Sequence, residues 1–462
     1  MLLGLFTNVN DILSGQHLFL QDFIFGPIFI AISYSIVKNI ADKYYKGTVN
    51  HTYLMYAYYV KIASTILFTL IFAFYYKGGD TFAYQINVLQ LRDLLPNDLA
   101  ATYNIMFRPK SFEAQYVIRD YMLSGGTYMT DNSTRLVIVF GFFVSFLCFN
   151  SFLFLSLVCS MLALIGCWKL YRAFSELYPH LHKEMAISCL FIPSVCFWSS
   201  GFLKDPICLG ALGLFTYASY DLFIKRRAVV ANILIIIFMV YVIMNIKVYI
   251  ILAYFPAVVF WIFSRYRYTI KSNFIRVVIG PLLVVIGVGL AVFVLLQIGQ
   301  AAKRYSFESM MRTAQDTQNW LVYSSKMQGG SFYTLGNIDY SVAGMIKIFP
   351  KAVNVSLFRP YIWEARKPIL IIASIEGMVT FFFTIRLLFK AGLFNFFKLI
   401  IANPEVQFCL IFSIIFAFAV GFTSFNFGAL ARYKIPFMPF YYIALFILAD
   451  AQKKSVAVEV RK

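Results

Sequence analysis

The chain has 462 residues, of which 61% are hydrophobic and 13% charged, and its mean hydropathy is +0.75. Soluble globular proteins have roughly 45–50% apolar residues, so the composition excludes a soluble fold and indicates an all-α polytopic membrane protein. The formal net charge of +19 is spread over short loops between apolar runs and does not form the basic patch of a nucleic-acid-binding protein. We therefore expect membrane lipids around the chain and no nucleic acid.

Apolar runs of membrane-crossing length predict eleven spanning helices in a single membrane domain, residues 1–462. They lie at about 19–37, 53–76, 151–173, 184–200, 204–223, 229–246, 248–264, 274–298, 368–390, 405–423 and 433–449. The apolar run 136–149 is too short to span, so we expect a re-entrant or interfacial hairpin there. The seven cysteines have no metal-like or disulfide-like spacing, which indicates core packing.

Basic residues in the short loops predict the orientation. Most Lys and Arg lie in alternate loops, which the positive-inside rule assigns to the cytoplasm, so the N-terminus and two long loops, 77–135 and 299–367, are expected outside. Residues Val88, Leu91 and Leu94 recur at helical spacing in the first loop, which predicts amphipathic helices along the membrane interface. The second loop has nine Lys or Arg against four acids, which indicates an anionic ligand.

The stretch KGGDTFAY, 77–84, follows directly on the second apolar run. Gly78 and Gly79 allow a sharp turn, which would hold Asp80 at the water boundary with its charge retained. A carboxylate in that position suits a general base. The alternative is that Asp80 caps the N-terminus of a surface helix, a role that aspartate fills well.

A second polar cluster, PSVCFWSSGFLKDP, lies at 193–206 between two predicted helices. We expect Lys204 and Asp205 to begin the outgoing helix on the same membrane face as Asp80, where they would form part of a binding site and the Lys204 cation would hold a phosphate. The alternative is that Lys204 and Asp205 pair with each other or extend to water.

The end of the second long loop, LFRPYIWEAR at 357–366, combines two arginines, a tryptophan and an acid. Arginine binds phosphate with two parallel hydrogen bonds, which suits Arg359 and Arg366. Trp363 and Glu364 form a pair suited to holding a sugar ring. The alternative is an interfacial anchor with a salt bridge.

Two further features concern the last predicted helices. Arg432 and Lys434 precede Pro436 and Pro439 at the outer end of the final helix. Glu376 lies about eight residues inside an apolar helix, where an acid costs roughly 2.5–3.5 kcal/mol on insertion scales. We therefore expect Glu376 to face a polar cavity or a cation and to be shielded from lipid.

Together, the external acid after an early helix, the long first external loop, the WSSGFLKD turn and the late Arg-x-Lys-x-Pro-x-x-Pro motif resemble the bacterial integral-membrane glycosyltransferases of the GT-C superfamily. The resemblance implies a polyprenyl-phosphate-linked sugar donor, a glycan or lipid acceptor, and Asp80 as the acid that serves the acceptor. An inverting transfer needs one carboxylate as base, and the departing phosphate needs positive charge.

Lys204, Arg359, Arg366, Arg432 and Lys434 are the candidate cations for that phosphate. No metal-binding motif is present, although a divalent cation would be compatible with this chemistry. The sequence departs from the family pattern in two respects. No second acid is adjacent to Asp80, and an additional helix, 19–37, precedes the acidic loop.

Three alternatives share the predicted architecture. A polysaccharide polymerase of the O-antigen type would act on undecaprenyl-pyrophosphate-linked repeats and depend on arginines in 299–367 without needing Asp80. A transporter of lipid-linked sugar is the non-enzyme alternative, although the sequence displays no pair of broken helices in related halves. A structural scaffold would not explain polar clusters on one face.

Overall fold

We analysed a computed structural model of the chain. It describes residues 9–121, 126–267 and 341–459, together with scattered residues between 312 and 339. The predicted span 274–298 and much of the loop 299–367 therefore lie outside the described residues. Within them the secondary structure is helical, apart from an isolated antiparallel bridge between Phe332 and Asn426.

The chain divides into two compact units. Unit 1 comprises Met1–His182, Val195–Leu222 and Arg226–Val248, and unit 2 comprises Lys183–Ser194, Phe223–Lys225 and Tyr249–Lys462. The helices up to the middle of the chain are α1 Val9–Leu13, α2 Leu20–Tyr44, α3 Val49–Tyr76, α4 Asp80–Leu94, α5 Leu99–Phe107, α6 Phe112–Tyr121, α7 Gly126–Thr130, α8 Asn132–Ser145, α9 Phe152–Leu177, α10 His182–Leu190, α11 Pro193–Trp198 and α12 Lys204–Lys225.

The helix α13, Val229–Arg267, begins in unit 1 and continues into unit 2. The later helices of unit 2 are α14 Val342–Phe358, α15 Pro368–Ala391, α16 Leu393–Ala402, α17 Pro404–Thr423, α18 Phe427–Tyr433 and α19 Met438–Glu459. A short 3-10 turn, Ile362–Glu364, precedes α15.

Seven of the described helices are long and apolar enough to cross a membrane: α2, α3, α9, α12, α13, α15 and α17. The pair α18 and α19, bent by 66° at a short break, makes an eighth if the two form one span. These helices confirm a polytopic helical membrane protein. The predicted count of eleven is not confirmed.

One difference from the predicted spans has a physical cause. The predicted helix 184–200 is interrupted at Phe191 and Ile192, because Pro193 has no N–H and disfavours helical backbone at the residue before it. The predicted break between helices 229–246 and 248–264 is confirmed, because α13 consists of two helical parts joined across a kink at Lys247, where the backbone is non-helical (φ −144°, ψ 73°). The apolar run 136–149 lies largely in α8, which has 14 residues and is too short to span.

The core of unit 1 contains a close contact between α9 and α12. A Cβ added to Gly166 would lie 2.2 Å from the carbonyl oxygen of Gly210, and one added to Gly213 would lie 2.1 Å from the carbonyl oxygen of Gly166. The two backbones touch because these positions have no side chain. Small residues are typical of such contacts between membrane helices.

The first long loop contains helices, as predicted, but α4 is not an amphipathic surface helix. Its polar residues Gln85 and Asn87 are as buried as Val88 and Leu91. Gln85 can be buried because its side-chain amide donates to the carbonyl of Asn150 at 3.0 Å. We conclude that α4 belongs to the core of unit 1, and the prediction of an interfacial helix is wrong for this element.

Candidate functional site

The glycine turn before Asp80 forms as predicted. The chain leaves α3 through Lys77 in the left-handed region (φ 48°), and Gly79 adopts φ 100°, which L residues rarely do. Gly79, and not Asp80, is the N-cap residue of α4. Asp80 is half-buried at the first helical position, where it accepts a long hydrogen bond from the hydroxyl of Tyr128 at 3.4 Å. The capping alternative for Asp80 is therefore not what the structure contains.

Lys204 lies in unit 1 and begins α12, as predicted. Its ammonium donates to the Asp131 carboxylate at 3.1 Å and to the Ser133 hydroxyl at 2.7 Å. It also interacts electrostatically with Asp80. The alternative in which Lys204 pairs with its neighbour Asp205 is wrong, because each of the two has a different partner.

Asp131 is the partner that sequence reasoning missed. Its carboxylate caps α8 by accepting from the backbone N–H of Thr134 at 3.2 Å and from the Thr134 hydroxyl at 2.9 Å. Burial pushes its pKa up, but the hydrogen bond from Ser133 and the charge of Lys204 outweigh burial and hold the pKa of Asp131 well below its usual value. Asp131 is therefore a fixed negative charge that positions Lys204.

Asp205 is fully buried and forms an ion pair with Lys247, which is also buried. Lys247 occupies the one non-helical position of α13, so the kink of that helix brings the ammonium to the carboxylate. The charge of Asp205 is balanced by Lys247 inside unit 1, and its side chain has no exposed surface in this structure.

In unit 2, Arg359 is held by its neighbours. Its guanidinium donates to both oxygens of Glu364, with Nε 3.0 Å from one of them, and lies over the rings of Tyr333, Tyr361 and Phe427 at 5.1–5.8 Å. The backbone N–H of Tyr361 also donates to Glu364 at 2.9 Å. Burial pushes the pKa of Glu364 up, but the Arg359 hydrogen bond and this N–H outweigh burial and lower it.

Trp363 and Arg366 are the exposed members of that predicted cluster. The Trp363 side chain is 78% exposed and stacks on the ring of Tyr361 at 5.0 Å. Arg366 is exposed, and within the described part of the chain it forms no hydrogen bond or ion pair. The same short segment therefore contains a closed clamp, Arg359–Glu364, and two side chains that face outward.

Arg432 and Lys434, predicted at the outer end of the final helix, differ from each other in exposure. Arg432 is half-buried, and Lys434 is fully buried in the break between α18 and α19. Glu376 is buried as expected for an acid at its depth, and it accepts from the backbone N–H and the hydroxyl of Ser194 at 2.9 and 2.7 Å.

Sequence reasoning also missed Lys61, which is buried within α3 and donates to the carbonyl and the hydroxyl of Ser199. The signal was available, because Lys61 lies as deep in an apolar run as Glu376 does. Its partners are neutral, so it does not complete an ion pair with a described acid.

Among the described residues, no cluster of three or more His, Cys, Asp or Glu side chains could hold a metal ion. Comparison with protein-family models, with curated proteins and with solved structures finds no match. Any statement about function must therefore come from the residues themselves. The predicted site residues fall into two groups. Unit 1 contains Asp80, Lys204 and Asp205, and unit 2 contains Arg359, Trp363, Glu364, Arg366, Arg432 and Lys434.

Proposed function

We propose that the protein is a membrane glycosyltransferase of the GT-C type. It would move a sugar from a polyprenyl-phosphate donor to a glycan or lipid acceptor on the outer face of the bacterial cytoplasmic membrane, during cell-surface glycan assembly. The observation that carries the proposal is the position of Asp80. A glycine turn presents this carboxylate half-exposed, Gly79 and not Asp80 occupies the N-cap of α4, and the Lys204 cation interacts electrostatically with Asp80.

The proposed reaction assigns one role to each group. Asp80 accepts the proton of the acceptor hydroxyl as that oxygen attacks the anomeric carbon of the donor sugar. The bond between that carbon and the phosphate oxygen breaks, and the phosphate leaves with the electron pair. A single base and direct displacement invert the anomeric centre.

Lys204 is suited to the leaving phosphate. An ammonium has three donors, and the hydrogen bonds to Asp131 and Ser133 use two of them. The third donor can reach a phosphate oxygen, while Asp131 keeps the ammonium in place. Preorganised charge of this kind usually supplies the largest part of the stabilisation of a transition state.

In unit 2, Trp363 and Arg366 are the side chains suited to a ligand, because they are exposed. An indole ring packs against a sugar, and a guanidinium binds phosphate with paired hydrogen bonds. Arg359 and Glu364 would stabilise this segment, because the Arg359 guanidinium donates to both oxygens of Glu364.

The proposal is tested by Asp80→Asn, with sugar transfer from a defined polyprenyl-phosphate donor measured on purified protein. The change keeps the size of the side chain and removes its proton-accepting charge, so turnover should fall roughly 10²–10⁴-fold while donor affinity is kept. Asp98→Asn is the matched control. Asp98 lies in the same loop and does cap a helix, accepting from the N–H of Ala101 at 2.8 Å.

Near-normal turnover of Asp80→Asn would refute the role of Asp80 as base. If Arg366→Met were inactive in the same assay, the polymerase alternative would be favoured, because that enzyme would depend on arginines of the second long loop. Equal losses in Asp80→Asn and Asp98→Asn would show an effect on folding instead of chemistry.

A further inference from the structure

The short helix α16, Leu393–Ala402, connects two helices that are long and apolar enough to span a membrane, α15 and α17. Gly392, with φ 70°, turns the chain between α15 and α16. With 10 residues, α16 is about 15 Å long, half of the roughly 30 Å of a hydrocarbon core. It is therefore too short to cross the membrane, and it lies where the spans α15 and α17 end.

The residues of α16 fall on three sides of the helix. No residue of α16 is buried. The side nearest the protein, where α16 packs against α15, α17 and α19, holds its half-buried apolar residues: Phe396, Leu399 and Ile400. A second side holds its exposed apolar residues: Leu393, Phe394, Phe397 and Ile401. These last residues, the apolar stripe, are 54–84% exposed and at helical spacing share an arc of about 100°.

The third side of α16 is polar. Helical spacing places Asn395 and Lys398 next to each other beside the apolar stripe, and both are exposed. A helix with an apolar side and a cationic polar side lies in the plane of the membrane interface, with its apolar side at the boundary of the acyl chains. The pattern of α16 fits this arrangement, because its connection to two spans already holds it at the membrane surface.

Positive charge near α16 is not balanced by acids. Arg386 and Lys390, in the last turns of α15, and Lys398 are all exposed. None of the three forms a hydrogen bond or an ion pair with the described part of the chain. Residues 377–404 contain no acid, and the next acid, Glu405, is buried in an ion pair. An anionic partner is therefore expected beside the apolar stripe.

We propose that α16 is an interfacial helix that binds anionic phospholipid. The apolar stripe enters the acyl-chain boundary, and Arg386, Lys390 and Lys398 attract the headgroup phosphates. The positive-inside rule predicts the cytoplasmic side for this connection, and anionic lipids give the cytoplasmic leaflet a negative surface potential. Lipid binding by α16 concerns unit 2 alone and does not depend on sugar transfer.

Spin labels on the full-length protein in nanodiscs of phosphatidylglycerol and phosphatidylcholine test where the apolar stripe lies. A nitroxide on Phe394→Cys should be accessible to oxygen, which concentrates in hydrocarbon, and shielded from a water-soluble nickel chelate. A nitroxide on Asn395→Cys, the matched control on the polar side, should be accessible to nickel. The native cysteines are buried, and wild-type protein treated with the label gives the background.

Two results of this experiment would refute the proposal. Equal access of nickel to both labels would mean that the apolar stripe faces water. A Phe394→Cys label shielded from both oxygen and nickel would mean that a partner protein or a second copy of this chain covers the stripe in place of lipid.

Energy transfer from a dye on Asn395→Cys to acyl-labelled phosphatidylglycerol, compared with phosphatidylcholine carrying the same label, tests the choice of headgroup. Phosphatidylglycerol should be preferred, and each neutralised cation should lower this preference by up to about fivefold. The variants are Lys398→Gln and the triple variant Arg386→Gln/Lys390→Gln/Lys398→Gln. Lys347→Gln is the control, because Lys347 is exposed on α14 of the same unit, and it should leave the preference unchanged.

The headgroup experiment also has outcomes that overturn the proposal. Equal transfer to the two lipids in the wild type would mean that α16 does not select anionic headgroups. A triple variant that keeps the wild-type preference would show that these cations do not bind the lipid. A loss of preference in Lys347→Gln as large as in Lys398→Gln would show a general effect of net charge instead of a site at α16.

Discussion

Removing the ion pair between Asp205 and Lys247 tests whether Asp205 stabilises the fold or binds a ligand. The Asp205 side chain is fully buried and the Lys247 side chain is 6% exposed. Replacing Lys247 by Met would leave a carboxylate buried without a counter-charge. Breaking a buried pair from one side typically costs about 3–5 kcal/mol of unfolding free energy, and we expect that range for Lys247→Met and for Asp205→Ala.

The double variant Asp205→Ala/Lys247→Met removes both charges. Replacing a whole buried pair is often neutral, so the double variant should be more stable than either single variant. Lys454→Met is the exposed control. Lys454 pairs with Asp450 at 2.7 Å but its side chain is 64% exposed, so its loss should cost under about 1 kcal/mol.

The assay is unfolding of the purified protein by increasing SDS in mixed micelles, with binding of a polyprenyl-phosphate donor measured in parallel. Single variants within about 1 kcal/mol of the wild type would contradict the buried-pair reasoning. An Asp205→Ala protein with normal stability and lost donor affinity would instead support the sequence-based assignment of Asp205 to a binding site.

Three other predictions follow from features of the fold and the sequence. Because the pKa of Glu364 is lowered in the folded protein, its contribution to stability is present above its unfolded value of about 4.3 and is lost as the pH falls through the folded value. Glu364→Gln should abolish this loss of stability at acid pH, as measured by thermal unfolding across pH. An unchanged dependence of stability on pH would contradict a stabilising ion pair between Arg359 and Glu364. Gly166→Ala should destabilise the protein by about 1–3 kcal/mol in the SDS assay, since the added Cβ meets backbone. Gly26→Ala should cost less, since its Cβ would meet only the Leu153 side chain. Finally, a membrane-impermeant thiol reagent should label a cysteine at Gly126 and not one at Arg227, and the reverse pattern would overturn the outward orientation of Asp80.

The composition and the glycine pattern predicted more of the structure than the charged residues did. The apolar fraction defines the class, and the Gly78–Gly79 pair places the turn before Asp80, because both depend on local properties of the chain. The span count depends on tertiary contacts. The predicted break between 229–246 and 248–264 lies at the kink of α13, but the sequence does not reveal that Lys247 is buried there in an ion pair with Asp205.

The partners of the candidate site residues also depend on tertiary contacts. Asp131 follows Asp80 by 51 residues, and Lys204 interacts with both acids in the fold, where α4 packs on α8. The alternative drawn from the sequence paired Lys204 with its neighbour Asp205, whereas the fold gives each a distant partner. Polar residues such as Gln85 led to the prediction of a surface helix at α4. The sequence does not reveal that the Gln85 side chain is buried and donates to the carbonyl of Asn150.

The contact of Gly166 with Gly210 and Gly213 bears on the order of assembly during synthesis. These glycines lie on helices separated in the chain by α10 and α11, so α9 must enter the bilayer before its partner has been made. Until α12 is made, Gly166 of α9 lacks the backbone that lies against it in the folded protein. Docking of α12 would then fix Lys204, the first residue of that helix, in a single event. A ribosome-bound chain that ends before Gly213 would therefore contain the Asp80 turn and Lys204. The contact between α9 and α12 would not yet hold these residues in their folded positions.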